Sequence, residues 1–347
     1  MNLNFVLREM THLRYYAPLI LEANTRGISS LFYVTPSNKY NCPFLEKNRN
    51  ELEDFAKKNQ VKILTIDELK LATDVIITNE KSCLEQIKQV SGPKKVTMTY
   101  QTDFVLNYKK FNYYDVYDHI LMPSKNIAKF YDLHTDKNLY LGITKYDIVL
   151  DKQEIIKKHN LESDKKKALF IWPKSRDTHR MPIGIISNFN KLGWQVLVKA
   201  RGKDPVSSET LKSLTSAGNR VFSDDSWYPH TTQELLEVSN LVVNPGSTTI
   251  EECVMHDVPL INFDIKPEIR HGIRMPYRVT HSYLYDYDFC INLESLDTTF
   301  STSKLSDMVD NLQDGDIRSS FERCRESWLY NHRNACKNLL DMLESAC

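Results

Sequence analysis

The sequence has no net charge, no long apolar run and no cysteine pattern, and each absence removes a class of function. Lys plus Arg and Asp plus Glu number 45 each in 347 residues, so no global field draws the chain to nucleic acid or to anionic lipid. Nucleic acid is not expected as a partner. No stretch approaches the roughly 18 consecutive apolar residues of a membrane-spanning helix, and Asn2 to Arg8 reads as a strand and not as the start of a secretion signal. No transmembrane segment is expected, although peripheral contact with a membrane stays open. The seven cysteines, Cys42, Cys83, Cys253, Cys290, Cys324, Cys336 and Cys347, are odd in number and scattered without CxxC spacing. That argues against a disulfide framework or a zinc site and for reduced cytoplasmic thiols. No short-period repeat and no low-complexity tract is present.

What is there is the balance of a globular protein, 41% apolar and 26% charged residues. The length exceeds the roughly 250 to 300 residues at which one core stops growing, so two domains are expected. Asn4 to Leu7, Ser30 to Val34, Val61 to Ile66, Asp74 to Thr78, Val96 to Tyr100, His119 to Met122 and Asn138 to Leu141 read as strands. Helices over Leu13 to Ala23 and Glu46 to Asn59, and a short one capped by Asp67, alternate with the early strands. Such alternation predicts a parallel sheet covered by helices on both faces. This first domain spans about residues 1–150. A lysine-rich connection, Asp151 to Lys167, follows.

The rhythm then restarts over about residues 165–300. Strands are expected at Ala168 to Trp172, Gln195 to Lys199, Arg220 to Phe222, Leu241 to Val243 and Pro259 to Phe263. Helices fall at Ile183 to Leu192, Ser207 to Ala217, Thr231 to Val238 and Thr248 to Met255. The remaining residues, 301–347, read as helical and are expected near the domain junction. The fold class is α/β, with two Rossmann-like doubly wound domains facing across a cleft and a C-terminal helical tail.

The segment with the most chemistry is Asn244, Pro245, Gly246, Ser247, Thr248, Thr249, Ile250, Glu251 and Glu252, a small-residue turn between a buried strand and a helix. Backbone N–H groups in such a turn can hold an anion, with the hydroxyls of Ser247, Thr248 and Thr249 as further donors. An ordinary capped helix with Ser247 or Thr248 as N-cap explains the same residues.

The run ELLEVSNLVVNPGSTTIEECVMHDVPLI, residues 234–261, resembles the donor-binding segment of GT-B glycosyltransferases, of the CDP-glycerol glycerophosphotransferases and of the non-hydrolysing UDP-N-acetylglucosamine 2-epimerases. ALFIWPKSRDTHR, residues 168–180, and WQVLVKARGKDP, residues 194–205, resemble the first two strand ends of the C-terminal domain in that group. YDHILMPSKNIAKFY and LYLGITKYD, within residues 117–147, resemble the end of its N-terminal domain. The resemblance spans about residues 96–265.

It implies a transferase with a nucleotide-sugar donor and a hydroxyl acceptor, needing no cofactor and no metal. Gly246, Ser247, Thr248 and Thr249 would then hold the donor diphosphate, and Glu251 or Glu252 would accept from ribose hydroxyls. Lys174, Ser175, Arg176, Lys199 and Arg201 would face the leaving phosphates, where Arg contacts are strongest. A sugar-nucleotide epimerase, a glycerophosphotransferase and a non-catalytic nucleotide-sugar binder are the alternatives. The sequence has Arg201 and Gly202 where the epimerases have a His, and Tyr100, Gln101, Thr102 and Asp103 where the glycerophosphotransferases have His-Gly.

An inverting transferase needs a general base on the acceptor side. His12, Asp103 and Glu9 each follow a strand end, and His12 is the first choice, with Asp103 second. Tyr100, Phe104, Tyr108, Phe111, Tyr113, Tyr114 and Tyr117, interleaved with Lys109 and Lys110, are candidates for stacking on an acceptor or for packing. The histidines His179, His230, His256 and His271 show no metal-ligand spacing.

Overall fold

The computed structural model describes residues 1–35, 47–79, 83–99, 112–133, 135–173, 183–202, 204–245, 247, 249–263, 268–270, 273–275, 287–293, 301–314, 317–329 and 334–345. The chain divides into two compact units, one of Met1–Ile148 with Glu326–Cys347, the other of Val149–Arg325. The C-terminal helical residues fall on both sides of this division, up to Arg325 in the second unit and from Glu326 in the first.

In the first unit seven strands form one sheet: β1 (Asn2–Leu7), β2 (Ser29–Val34), β3 (Lys62–Thr65), β4 (Val75–Asn79), β5 (Lys94–Met98), β6 (His119–Met122) and β7 (Asn138–Tyr140). Their order is β3-β2-β1-β4-β5-β6-β7, and every neighbouring pair is parallel. Such a sheet is buried on both faces, which is why β1 and β4 carry apolar residues at consecutive positions and not at alternate ones. Leu3, Phe5, Val6, Leu7, Val75, Ile76 and Ile77 are all enclosed. Helix α1 (Leu13–Thr25) makes the first crossover, and Gly27 at φ +69° turns the chain out of it in the left-handed region that glycine tolerates.

Helix α2 (Arg49–Lys58) leads into β3, and α3 (Leu84–Lys88) and α4 (Lys125–Phe130) connect later strands. The last two have five and six residues, too few for a hydrophobic period to stand out in the sequence. A 3-10 turn follows β3, and its cap is Thr65, reciprocally bonded to Glu68, where Asp67 was expected.

The second unit contains α5 (Lys152–Lys158), β8 (Lys167–Ile171), α6 (Ile183–Lys191), β9 (Gln195–Lys199), α7 (Ser208–Ser216), β10 (Arg220–Phe222), α8 (Thr231–Val238), β11 (Leu241–Asn244), α9 (Thr249–Met255) and β12 (Leu260–Phe263). A two-stranded antiparallel ribbon, β13 (Glu268–Arg270) with β14 (Ile273–Met275), precedes β15 (Cys290–Leu293). The sheet order is β10-β9-β8-β11-β12-β15, again all parallel. One face is closed by Phe170, Phe189, Val196, Val198, Val243, Ile261 and Leu305, which bring α6 and α10 (Thr302–Asp314) onto it. Because side chains alternate along a strand, Val242 and Asn244 point to the opposite face from Leu241 and Val243.

After α11 (Ile317–Cys324), the turn Arg325–Leu329 is a π-helix, and it carries the chain back into the first unit. There α12 (Ala335–Ser345) lies on α1. Arg26 joins the two helices, reaching Asp341 at 2.6 Å and Glu344 at 2.9 Å while also holding Glu22 at 3.0 Å. The α12 start is fastened by Asp147, whose carboxylate accepts the Cys336 N–H at 2.6 Å. Among the described residues no helix is long and apolar enough to cross a membrane.

Candidate functional site

Each sheet places its first strand between two oppositely directed crossovers, so the order reverses between β1 and β4 and between β8 and β11. In open α/β sheets the crevice outside the carboxyl ends of such strands is where ligands bind. In the second unit that position lies where β8 ends at Ile171 and β11 ends at Asn244, the two strand ends that the sequence marks for the donor.

The turn after β11 is organised by Asn244, a fully enclosed side chain. Its Oδ1 accepts the Ser247 N–H at 3.0 Å, and its Nδ2 donates to the Ser247 carbonyl at 3.1 Å and to Asn262 Oδ1 at 3.1 Å. Ser247 Oγ lies 3.2 Å from Thr249 Oγ1 and accepts the Thr249 N–H at 3.4 Å. Ser247 therefore caps α9 loosely, and its N–H is already used by Asn244. Its half-buried hydroxyl retains hydrogen-bonding capacity, since one hydroxyl can donate once and accept twice. Thr249 and Glu251 are buried, whereas Glu252 is half-exposed. Gly246 and Thr248 lie outside the described residues, as do Lys174, Ser175 and Arg176 after β8.

At the neighbouring strand ends the two expected cations part company. Lys199, the last residue of β9, is 6% exposed, and its ammonium donates to the Ala200 carbonyl at 2.7 Å and the Asp224 carbonyl at 2.8 Å. It also lies 3.3 Å from Asp224 Oδ1. Arg201, two residues on, is exposed. Partial burial pushes the Asp224 carboxyl up, but the Thr231 hydroxyl, the Lys199 ammonium and the Ser226 hydroxyl and N–H outweigh it and bring its pKa down to about 2.

The adjacent Asp225 accepts the Gly202 N–H at 2.9 Å, and a Cβ at Gly202 would collide with that carboxylate. Ser226 Oγ accepts the Thr231 N–H at 2.8 Å, which fixes the start of α8. Lys199, Asp224, Asp225 and Ser226 thus bind the ends of β9 and β10 into one network. Sequence reasoning missed the two aspartates, although an Asp pair two residues beyond a strand end is a visible signal.

The first unit's strand ends are filled differently. His12 sits in a 3-10 turn just past β1 and is fully buried, its ring edge-on to Tyr16 at 5.9 Å. Tyr16 Oη donates to the Val6 carbonyl at 3.0 Å. Glu9 is half-exposed and accepts from Thr11 at 3.3 Å. Lys145 is buried with its ammonium 5.6 Å from the Tyr15 ring centre and 4.7 Å from that of Tyr146, a cation–π arrangement.

Of the aromatic run, Tyr113 and Tyr117 pack edge to face in the interior, and Tyr117 Oη meets Thr78 Oγ1 at 3.0 Å. Tyr114 is half-buried, and burial, with Tyr140 beside it, pushes its phenol up to about 12. Asp103, Tyr100, Phe104, Tyr108, Phe111, Lys109 and Lys110 lie outside the described residues. Among the described residues no group of three or more His, Cys, Asp or Glu side chains could hold a metal ion.

No family model matches the chain, and no curated protein matches it in sequence. Solved structures do match in fold. The wall teichoic acid polymerase TagF superposes with a TM-score of 0.67 at 12% identity, over 100% of this chain and 88% of that one. UDP-GlcNAc 2-epimerase from Neisseria meningitidis, bound to UDP-GlcNAc, gives 0.64 at 11% identity over 99% and 100%. The glycotransferase of kitacinnamycin gives 0.60 at 12% identity over 99% and 98%. Two doubly wound parallel sheets and this likeness define the architecture as α/β and GT-B-like. The resemblance read from residues 96–265 extends, as a fold, over the whole chain.

Proposed function

We propose that the chain is a GT-B type glycosyltransferase that transfers a sugar or similar group from a nucleotide diphosphate donor to a hydroxyl acceptor. The observation that carries this reading is the switch point of the second sheet, where the small-residue turn after β11 lies next to the strand that leads into Lys174, Ser175 and Arg176. Gly246, Ser247, Thr248 and Thr249 would hold the diphosphate, Glu252 or Glu251 the ribose, and Arg201 with Lys174 and Arg176 the leaving charge. Neighbours of the same fold bear the names of a UDP-GlcNAc epimerase and of a polymerase soaked with CDPG, which supports a nucleotide-linked donor. No cofactor and no metal enter this reading, and His12 and Asp103 are its candidates for the base.

A sugar-nucleotide epimerase is the second reading, favoured by the match to the Neisseria enzyme over the full length of both chains. Thermal-shift titration with UDP- and CDP-linked donors tests binding. Release of free nucleotide that depends on an added hydroxyl acceptor is expected of the transferase, and conversion of the donor without acceptor would instead identify the epimerase.

A further inference from the structure

Three strands of the second sheet carry an asparagine in the same row. Asn244 on β11 is in register with Asn262 on β12, and Asn262 with Asn292 on β15. Nothing in a parallel sheet's interior calls for amides there, since the positions on either side along these strands are apolar: Val243, Ile261, Phe263, Ile291 and Leu293. Asn244 and Asn262 are 0% and 4% exposed, and Asn292 is exposed at the sheet's edge. Burying two amides is costly unless they are bonded.

The bonds run in one direction. The Ser247 N–H donates to Asn244 Oδ1, Asn244 Nδ2 donates to Asn262 Oδ1 at 3.1 Å, and Asn262 Nδ2 donates to Asn292 Oδ1 at 3.4 Å. Asn244 Nδ2 also holds the Ser247 carbonyl at 3.1 Å. One side chain therefore grips both backbone groups of Ser247. The Ser247 backbone fixes which way round the Asn244 amide lies, because an inverted amide would set N–H against the Ser247 N–H and oxygen against its carbonyl. Asn262 Oδ1 accepts from the same Nδ2 and braces it.

We propose that Asn244 is a positioning residue of the donor site, that the Asn262–Asn292 ladder braces its amide, and that together they hold Ser247 in place before the nucleotide arrives. This rests on the nucleotide-diphosphate reading above. A turn already held needs no ordering on binding, and that saving appears as affinity. The ladder also ties the turn to β12 and β15.

The experiment is calorimetry of UDP and CDP with the full chain between pH 5 and 9, wild type against Asn244→Asp. At high pH the new carboxylate keeps the bond from the Ser247 N–H but faces the Ser247 carbonyl and Asn262 Oδ1 with oxygen against oxygen. Burial raises such a carboxyl's pKa, and once protonated it donates again to one of the two. The expected result is binding weaker than wild type by about 10-fold at pH 8.5, with the ratio narrowing as pH falls. Asn262→Leu, which keeps the ladder's volume and removes its polarity, should weaken binding a few-fold.

Asn219→Ala removes another buried amide of the same unit, one that caps α7 by donating to the Leu214 carbonyl at 2.9 Å. It should lower the melting temperature and leave affinity unchanged. Wild-type affinity in Asn244→Asp at all pH values, or a loss that is the same at every pH, overturns the proposal. If Asn244→Asp does not fold, Asn262→Leu decides, and unchanged affinity there overturns it as well. A wild-type protein that binds neither nucleotide overturns the donor reading and this inference with it.

Discussion

The two sheets share one strand order, and their switch-point strands run out into opposite chemistry. After β1 the chain enters Met10, His12, Tyr15 and Tyr16, all of them buried, with aromatic rings closed over the strand end. At and beyond the end of β11 it passes through Asn244, Ser247 and Thr249, short polar side chains that bond to one another and to the backbone. The same topology supplies a ligand position in both, because the diverging crossovers leave room at the strand ends. What fills that room differs. Large side chains crowd the end of β1, and short hydroxyl and amide side chains follow the end of β11. Topology therefore says where a ligand can sit, and the side chains beyond the strand ends are what set the two sheets apart.

The contrast breaks most visibly if the bulk beyond β1 is removed. Tyr16→Ala deletes a buried ring that packs on Phe5 at 5.0 Å and closes a hydrogen bond to Val6, and should cost about 3 to 5 kcal/mol of stability. Chemical denaturation measures this, and a loss below about 1 kcal/mol would show that the ring is not structural.

The second sheet offers a sharper pair of changes, expected to act in opposite ways. Lys199→Met leaves Asp224 and two carbonyls without their shared donor and should lower stability by about 1.5 to 3 kcal/mol, with UDP affinity kept in the folded protein. The exposed Arg201, changed to Ala, should leave the melting temperature alone and weaken UDP binding by about 1.5 to 3 kcal/mol. Calorimetry on both variants decides which cation meets the donor.

Smaller effects are expected at the turn. Ser247→Ala removes the cap contact to Thr249, worth about 1 kcal/mol of stability, and should also weaken UDP binding by about 1 to 2 kcal/mol if the hydroxyl meets phosphate. A lower melting temperature with wild-type affinity would leave it a cap and nothing more.

The smallest effect is a pH dependence. The folded Asp224 carboxyl titrates at about 2, below the ordinary value of about 3.9. Its ionised form therefore adds stability that is complete above about pH 5 and disappears as pH falls from about 4 toward 2. Because Asp224 is 41% exposed, solvent screens the gain and a shift of only a few degrees is expected. Melting temperatures of wild type and Asp224→Asn should draw together as pH falls from about 5 toward 2, and a gap that stays constant over that range would remove Asp224 from the acid response.

Much of the fold is legible along the chain because parallel sheets demand it. Runs such as Leu3 to Leu7, Val75 to Ile77 and Leu241 to Val243 must be apolar on both faces, and the helices between them must be amphipathic, so both leave a period in the sequence. The turn after β11 is legible for a related reason, since only small and polar residues suit a tight exit from a buried strand. The short helices α3 and α4 are not legible, and neither are the last strands. Cys290 to Leu293 becomes a strand because β12 offers it a free edge, a fact about neighbours rather than about its own residues.

The sequence by itself therefore determined the alternation of strands and helices, the two-unit plan and the residue types at the strand ends. Tertiary structure alone decided which of two nearby cations, Lys199 or Arg201, turns inward, because Asp224 from the segment beyond β10 captures the first. It also decided that His12 is enclosed, because Tyr16 from the following helix closes over it. The three asparagines were in plain view as single letters in separate strands. Only the in-register pairing of β11, β12 and β15 joins them into one row, since hydrogen bonds across a sheet depend on register, and register is fixed by strands that lie far apart along the chain.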